Sequence, residues 1–412
     1  LPLRRTVLTA VTFTPKRAST AFLISGLVAS TATLKTTQLF ISALIADFSG
    51  QRKGPYLELC KKYGSIYDVS IKGLVTDNRD VKVGDCFIAL AGITSHGKTY
   101  NIADILKETK TTALVVAKDG VIVSEDYYLG TGMNDRRISW SMSKSFVSAL
   151  VGVALADGTI KSLDDKVTDY APSLKGSAYE GATVRNVLNM ASGVKFNEDY
   201  LDKNSDINKM GRALALGQSL DEFASLVKVR ARTPGTAWQY CSIDTHVIAM
   251  VLRGATGQSL QDYFVENLWS KMGAGADAYY STDGDGNAFA LGGLNMRTRD
   301  YALFGELMRN GGKRGDAQII PAEWVKDSTT NTAPGLGGNA AMGYGYQWWI
   351  PEYTDNGKTS IYSANGYGGQ YLMMAPEHNL VIVFNGWNIN DEPEKSTYRV
   401  LQDRIIPALE NN

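Results

Sequence analysis

From Thr112 onward the apolar and polar positions fall into regular periods. In "TALVVAKDGVIVSEDYY" (112–128) two strand-like runs flank Asp119-Gly120. That dipeptide tolerates positive φ at both positions and predicts a tight hairpin. In "SMSKSFVSALVGVALADGTI" (141–160) Phe146, Val147, Leu150, Val151, Ala154 and Leu155 recur at helical spacing, and Gly158 is a stop signal. A mixed, mostly helical stretch follows to about residue 310. "QYLMMAPEHNLVIVFNGW" (370–387) predicts a second hairpin around "PEHN", and "STYRVLQDRIIPAL" (396–409) a closing helix. Strands at both ends with helices between predict an α/β (α+β) fold, in which one antiparallel sheet joins halves far apart in the chain.

Composition narrows the classes. The 412 residues, 44% hydrophobic, suffice for one large domain or two ordinary ones. The 42 basic and 42 acidic residues cancel, and no long basic run favours nucleic acid or an anionic membrane. Cys60, Cys86 and Cys241 are odd in number and far apart, which argues against a disulfide framework or a structural zinc site. Lys16 and Arg17 precede seventeen uncharged residues that end before Lys35. That run resembles a secretory leader but also suits a packed segment, and it is short for a membrane span. It is expected to be retained, with cytoplasmic and exported locations both open.

Chemistry concentrates in three places. "WSMSKSF" (140–146) sets Ser141 and Lys144 three residues apart, on one helical face. A serine hydroxyl needs a base to become a nucleophile. Lysine serves as that base when an apolar environment lowers its pKa by up to roughly 3–5 units. The alternative is an exposed first-turn lysine beside a capping serine. Next, "RTPGTAWQYCSIDTHVIAMVL" (232–252) places Tyr240 and Ser242 before a helix. A phenol near an ammonium takes on phenolate character and can relay a proton; Ser242 completes a hydrogen-bond network, and Cys241 points away into packing. Finally, "SANGYGGQYLMMAP" (363–376) carries Gly366, Gly368 and Gly369 at a strand entry. These allow a ligand close to the backbone, where an N–H opposite that of Ser141 could bind an oxyanion. His96, His246 and His378 form no catalytic pattern, with His246 read as a core or surface residue. No G-x-S-x-G or H-E-x-x-H occurs, and "DGDGN" (283–287) is a surface turn rather than a calcium loop. No metal or cofactor is expected.

S-x-x-K, Y-x-S and a glycine-rich strand, in that order, resemble the penicillin-recognising serine hydrolases. That superfamily includes class C β-lactamases, D-Ala-D-Ala peptidases, family VIII carboxylesterases and 6-aminohexanoate-dimer hydrolases. "SxSKS", "FNEDYLD", "QYCS", "QWW" and the final Gly-Gln are most similar to the last branch. The resemblance spans about 112–412 and implies a β-lactamase/transpeptidase-like sheet flanked by helices, with a mostly helical subdomain. It implies Ser141 as nucleophile, Lys144 as general base and Tyr240 as acid/base partner. The oxyanion hole would be the N–H groups of Ser141 and Tyr367, Tyr200 a pocket hydrogen-bond donor, and Trp348 and Trp349 cleft walls.

Tyr367-Gly368-Gly369 stands where β-lactamases carry Lys-Thr-Gly, and Gly211 and Leu291 occupy pocket-tuning positions without an acid. A neutral pocket for small esters or uncharged amides is therefore expected, ahead of β-lactams or D-Ala-D-Ala peptides. No nucleic-acid or membrane partner is expected; a homodimer is allowed. Residues 71–106, "IKGLVTDNRDVKVGDCFIALAGITSHGKTYNIADIL", resemble the N-terminal domain of Mur ligases, without a P-loop anywhere in the chain. The expected organisation is thus an N-terminal segment (1–50) whose structure the pattern does not define, a small α/β module (51–111) and the hydrolase (112–412). The rival from another class is a non-catalytic binding protein for a UDP-sugar or cell-wall fragment.

Overall fold

The computed structural model describes residues 106, 109–336, 342–351 and 361–387. The N-terminal segment, the Mur-ligase-like stretch up to residue 105 and the closing helix lie outside the described residues.

Twelve strands are described: β1 (Thr111–Lys118), β2 (Val121–Tyr127), β3 (Arg136–Ile138), β4 (Tyr279–Tyr280), β5 (Leu294–Arg297), β6 (Lys313–Arg314), β7 (Ala317–Gln318), β8 (Met342–Tyr344), β9 (Trp349–Pro351), β10 (Tyr362–Gly366), β11 (Gln370–Ala375) and β12 (Leu380–Gly386). Seven form one antiparallel sheet in the order β2-β1-β12-β11-β10-β9-β8. Both predicted hairpins are present. Asp119 (φ 52°) and Gly120 (φ 78°) turn the first, and Asn379 (φ 49°) completes the second after a 3₁₀ turn at Pro376–His378. The β1–β12 pairing, Val115 opposite Val383, joins the two distant halves.

Strand alternation splits the apolar side chains between two cores. Val115, Ala117, Leu372, Met374, Val381 and Val383 belong to the large core on the helical side. Leu114, Val116, Tyr371, Met373, Ile382 and Phe384 belong to a smaller one that also includes Leu106. Both faces of the central strands are covered, which is why they read as nearly continuous apolar runs.

Five helices matter for the site: α1 (Ser143–Ala156), α2 (Asp206–Ala215), α3 (Leu220–Leu226), α4 (Ser242–Thr256) and α5 (Thr298–Arg309). The predicted helix at 141 begins instead with a 3₁₀ turn, Trp140–Met142, and becomes α-helical at Ser143. Phe146, Val147, Leu150, Val151 and Ala154 are all buried, and Phe146 stacks on Phe304 of α5 with centroids 3.7 Å apart. Helix α4 is buried from Ser242 to Leu252 and closes on Gly257 in the left-handed conformation (φ 69°). His246 lies in this core, its Nε2 2.8 Å from Asp221 Oδ1. The "DGDGN" turn differs from the surface reading in one respect. Asp283 is buried and accepts from the backbone N–H of Leu220, capping the subdomain from within.

Helix α4 also crosses a neighbouring segment closely at Gly254, where an added Cβ would overlap the carbonyl oxygen of Tyr170. Helix propensity alone would make Gly254→Ala stabilising by about 1 kcal/mol. A clash with backbone has no side chain to rotate away, so overpacking by about 1–3 kcal/mol wins. Urea unfolding of Gly254→Ala is expected to show a lower midpoint with an unchanged slope.

Candidate active site

The chain reaches Ser141 through a tightly held backbone. The Ser139 N–H donates to the Leu294 carbonyl of β5 (2.7 Å), and Met142 N–H donates to the Ser139 carbonyl (3.2 Å). Between them Trp140 adopts φ 42°, a strained conformation for a bulky residue, immediately before the candidate nucleophile. Helix α1 is then anchored by Ser143 Oγ donating to the Ala290 carbonyl (2.6 Å) and Ser145 Oγ donating to the Gln347 carbonyl (2.7 Å).

Lys144 is 2% exposed. Its Nζ lies 2.9 Å from Ser141 Oγ and donates to the Leu291 carbonyl at 2.9 Å. Leu291, expected as a pocket-tuning side chain, thus contributes its carbonyl to the lysine, and Gly211 sits on α2 with open space where a side chain would be. Burial drives the Lys144 pKa down to about 7, partly offset by the negative charge of Glu198. The exposed first-turn alternative is therefore excluded.

Tyr240 precedes Cys241, the residue that opens α4. Its ring stacks on Trp349 (centroids 5.5 Å apart) and lies 5.5 Å from Lys144 Nζ, and its hydroxyl is near Ser141. The expectation of phenolate character does not hold. Burial first, then the neighbouring Tyr200, Tyr344 and Glu198, push its pKa well above the ordinary phenol value, so the group is a neutral phenol. Cys241 is buried, and its backbone carbonyl accepts from the Asp244 N–H (3.0 Å), in agreement with a packing role.

Ser242 enters a network whose centre the motif reading did not single out. Its N–H and its Oγ (3.1 Å) donate to the two carboxylate oxygens of Glu198. The Tyr200 side chain lies near both Glu198 and Ser242. The signal was present in "FNEDYLD", where the acid lies two residues before Tyr200.

Three aromatic residues form the rim. Tyr200 (43% exposed) stacks on Tyr367 (39% exposed) at 5.3 Å and 15°, and Trp140 (36% exposed) meets Tyr367 edge-on at 6.2 Å. Trp349 joins the site through Tyr240. Trp348 does not: it is fully buried, stacked on Phe304 (6.0 Å) and edge-on to Tyr362, and so belongs to the core rather than to a cleft wall.

The glycines have reasons other than ligand approach. A Cβ on Gly366 would overlap the Ser139 carbonyl, so its bareness lets β10 run beside the turn that carries Ser141. Gly368 (φ 78°) and Gly369 (φ 88°) make the β10–β11 turn. Among the described residues no group of three or more His, Cys, Asp or Glu is placed to hold a metal ion, and no helix is long and apolar enough to cross a membrane.

The β-lactamase family profile matches residues 101–403. Over 314 residues the chain is 31% identical to 6-aminohexanoate-dimer hydrolase of Paenarthrobacter ureafaciens, covering 73% of this chain and 78% of that one. Among solved structures, one from Bacillus anthracis, provisionally assigned as a 6-aminohexanoate-dimer hydrolase, superposes with a TM-score of 0.68 at 23% identity, covering 83% of this chain and 87% of the other. A family VIII carboxylesterase superposes with a TM-score of 0.56 at 18% identity, covering 74% and 95%.

The buried amine carries a stability consequence. Below about pH 7 both the folded and the unfolded chain hold the Lys144 proton, and folding must bury the charge. Between about 7 and 10.5 only the unfolded chain holds it, so stability rises with pH across that window. Lys144→Met removes this burden and is expected to stabilise the fold by about 1–4 kcal/mol. The gain should be largest below pH 7, read as a higher midpoint in thermal unfolding, while hydrolytic activity is lost.

Proposed function

The chain belongs to the β-lactamase family and is a serine hydrolase of ester and amide bonds; on that premise we propose that Ser141 is its nucleophile, Lys144 its general base and Tyr240 its neutral proton relay. The observation that carries this reading is the fully buried Lys144 amine, 2.9 Å from Ser141 Oγ, with its pKa brought down to about 7. Near neutral pH a large share of that amine is unprotonated and can accept a proton, which an ordinary lysine cannot do.

The steps follow from the arrangement. Ser141 Oγ attacks the substrate carbonyl while its proton passes to Lys144 Nζ. The negative charge that develops on the carbonyl oxygen is assigned to the backbone N–H groups of Ser141 and Tyr367. As the carbonyl reforms, the C–O or C–N bond breaks, and the leaving alkoxide or amine takes up a proton through the Tyr240 hydroxyl. That hydroxyl is replenished from Lys144. A water then attacks the acyl-serine, its proton returning along the same path, and releases the acid and free Ser141.

Tyr367 holds the rim position at which a β-lactamase would present a lysine to a substrate carboxylate. The aromatic rim of Trp140, Tyr200 and Tyr367 supports small, uncharged esters and amides as substrates. This favours carboxylesterase or aminohexanoate-dimer-hydrolase-like amidase activity over β-lactamase or D-Ala-D-Ala peptidase activity. An assembled Ser141–Lys144–Tyr240 cluster favours catalysis over simple binding of a UDP-sugar or cell-wall fragment.

Ser141→Ala is expected to lower turnover of p-nitrophenyl butyrate by roughly a thousandfold or more, with an unchanged circular dichroism spectrum. Retained turnover would refute the assignment. For the intact protein, kcat/KM should rise about tenfold per pH unit on the acid side and level off above about pH 7, because the protonated amine is the inactive form. A profile flat from pH 5 to 9 would exclude Lys144 as the base.

A further inference from the structure

Gln347 opens the "QWW" triplet and takes no part in the steps proposed above, yet each of its hydrogen-bonding groups is engaged inside the core. It is 1% exposed and holds φ 65°, in the left-handed region, where a residue other than glycine persists only if its surroundings fix it. Its backbone carbonyl accepts from Ser145 Oγ of α1 (2.7 Å). Its side-chain oxygen Oε1 accepts from Thr245 Oγ1 of α4 (2.7 Å). On a third side its backbone N–H (3.2 Å) and its amide Nε2 (2.8 Å) both donate to the carbonyl of Leu188, the last residue of the short helix Val184–Leu188. A carbonyl only accepts, so the amide has one orientation, nitrogen toward Leu188 and oxygen toward Thr245.

These three partners lead to the reacting groups by short paths. Ser145 directly follows Lys144, and Thr245 lies three residues beyond Ser242 on α4. Two residues past Leu188, Met190 grips the chain on both sides of Tyr240. Its carbonyl accepts from Gln239 N–H (2.8 Å), and its Sδ accepts from Cys241 N–H (3.4 Å). Met190 too is left-handed (φ 52°) and buried. Two residues past Gln347, Trp349 stacks on the Tyr240 ring with centroids 5.5 Å apart. Gln347 therefore joins the helix that carries the base to both the backbone and the ring of the proposed proton relay.

We propose that Gln347 is a positioning residue for leaving-group protonation: its backbone and its amide hold α1, α4 and the 188–190 segment in one arrangement, and so set the Tyr240 hydroxyl against the Ser141–Lys144 pair. The inference rests on the roles proposed above for Ser141, Lys144 and Tyr240. An apolar core of the right volume loses uniqueness of arrangement before it loses stability, whereas directional bonds between buried polar groups select one registration. Proton transfer needs that registration, because donor and acceptor must come within about 2.6–3.2 Å.

Two esters with one acyl group read the role. p-Nitrophenyl butyrate and ethyl butyrate give the same butyryl-enzyme. p-Nitrophenolate departs unprotonated, but ethoxide must take up a proton as the C–O bond breaks. kcat/KM covers the steps up to acylation, so the comparison isolates that proton. Gln347→Met keeps the bulk and removes the amide. Thr245→Val removes one hydroxyl on the α4 side, and Thr245→Ser restores it. In Gln347→Met, kcat/KM is expected to fall by about 30-fold or more for ethyl butyrate and by about threefold or less for p-nitrophenyl butyrate. Thr245→Val should show the same selectivity, about tenfold against about twofold, and Thr245→Ser should match the unmodified protein. A merely structural glutamine would lower both esters by one factor, or lower only the thermal midpoint, and either result overturns the proposal. Should Gln347→Met not fold, an equal loss on both esters in Thr245→Val overturns it. If the unmodified protein hydrolyses neither ester, the functional reading fails and this role with it; equal losses in variants of an active protein overturn the role alone.

Discussion

A primary amine removed from water next to one serine hydroxyl is the constraint around which this structure is organised. Burial makes the neutral form of Lys144 accessible, and the Leu291 carbonyl and Ser141 Oγ fix where its nitrogen sits. Two opposing effects set its proton affinity. Loss of solvent lowers it by several units, and the carboxylate of Glu198 restores a part, leaving it at about 7. Stronger burial without the acid would give a base too weak to accept the serine proton. Weaker burial would leave a permanent ammonium.

Holding that amine requires parts of the chain far apart in sequence to converge. Helix α1 brings the lysine, and the segment before β5 brings the Leu291 carbonyl. The start of α4 brings Tyr240 and Ser242, and the loop before α2 brings Glu198 and Tyr200. The β1–β12 pairing closes the sheet so that β10 lies against the turn bearing Ser141. Contact at Gly366 is close enough that only a residue without a side chain fits beside the Ser139 carbonyl. The strained backbone of Trp140 belongs to the same junction, and the surrounding hydrogen bonds to β5 hold it in place.

Helix α4 acts as the second anchor. Its N-terminal turn carries Tyr240, Cys241, Ser242 and Asp244 within five residues, each with a different environment. Asp244 is buried among Tyr179, Ser192 and Cys241, and desolvation raises its pKa to about 7. Further along, His246 and Arg253 share Asp221; burial pushes its pKa up, but those partners outweigh it and bring it down to about 2. These polar ties sit within an otherwise apolar helix and fix its rotation, so that Tyr240 faces Ser141 and Trp349 rather than the core.

Local pattern alone determined a good deal. The two hairpins, the apolar stripe of α1 and the glycine stops follow from short-range backbone chemistry, and the order of S-x-x-K, Y-x-S and a glycine-rich strand pointed to a serine hydrolase. Three-dimensional packing decided the rest. Trp348 and Trp349 are neighbours with the same side chain; the first, just before β9, is buried in the core, and the second, which opens β9, stacks on Tyr240. The ionisation of Tyr240 depends on neighbours from three separate segments, so a phenolate read from a nearby lysine was wrong in sign. Glu198 lies inside "FNEDYLD", but its place could not be read there, because its partner Ser242 lies more than forty residues further along the chain. Proton affinity is set by solvent exclusion and by charges brought together on folding, and neither is a property of any short stretch of chain.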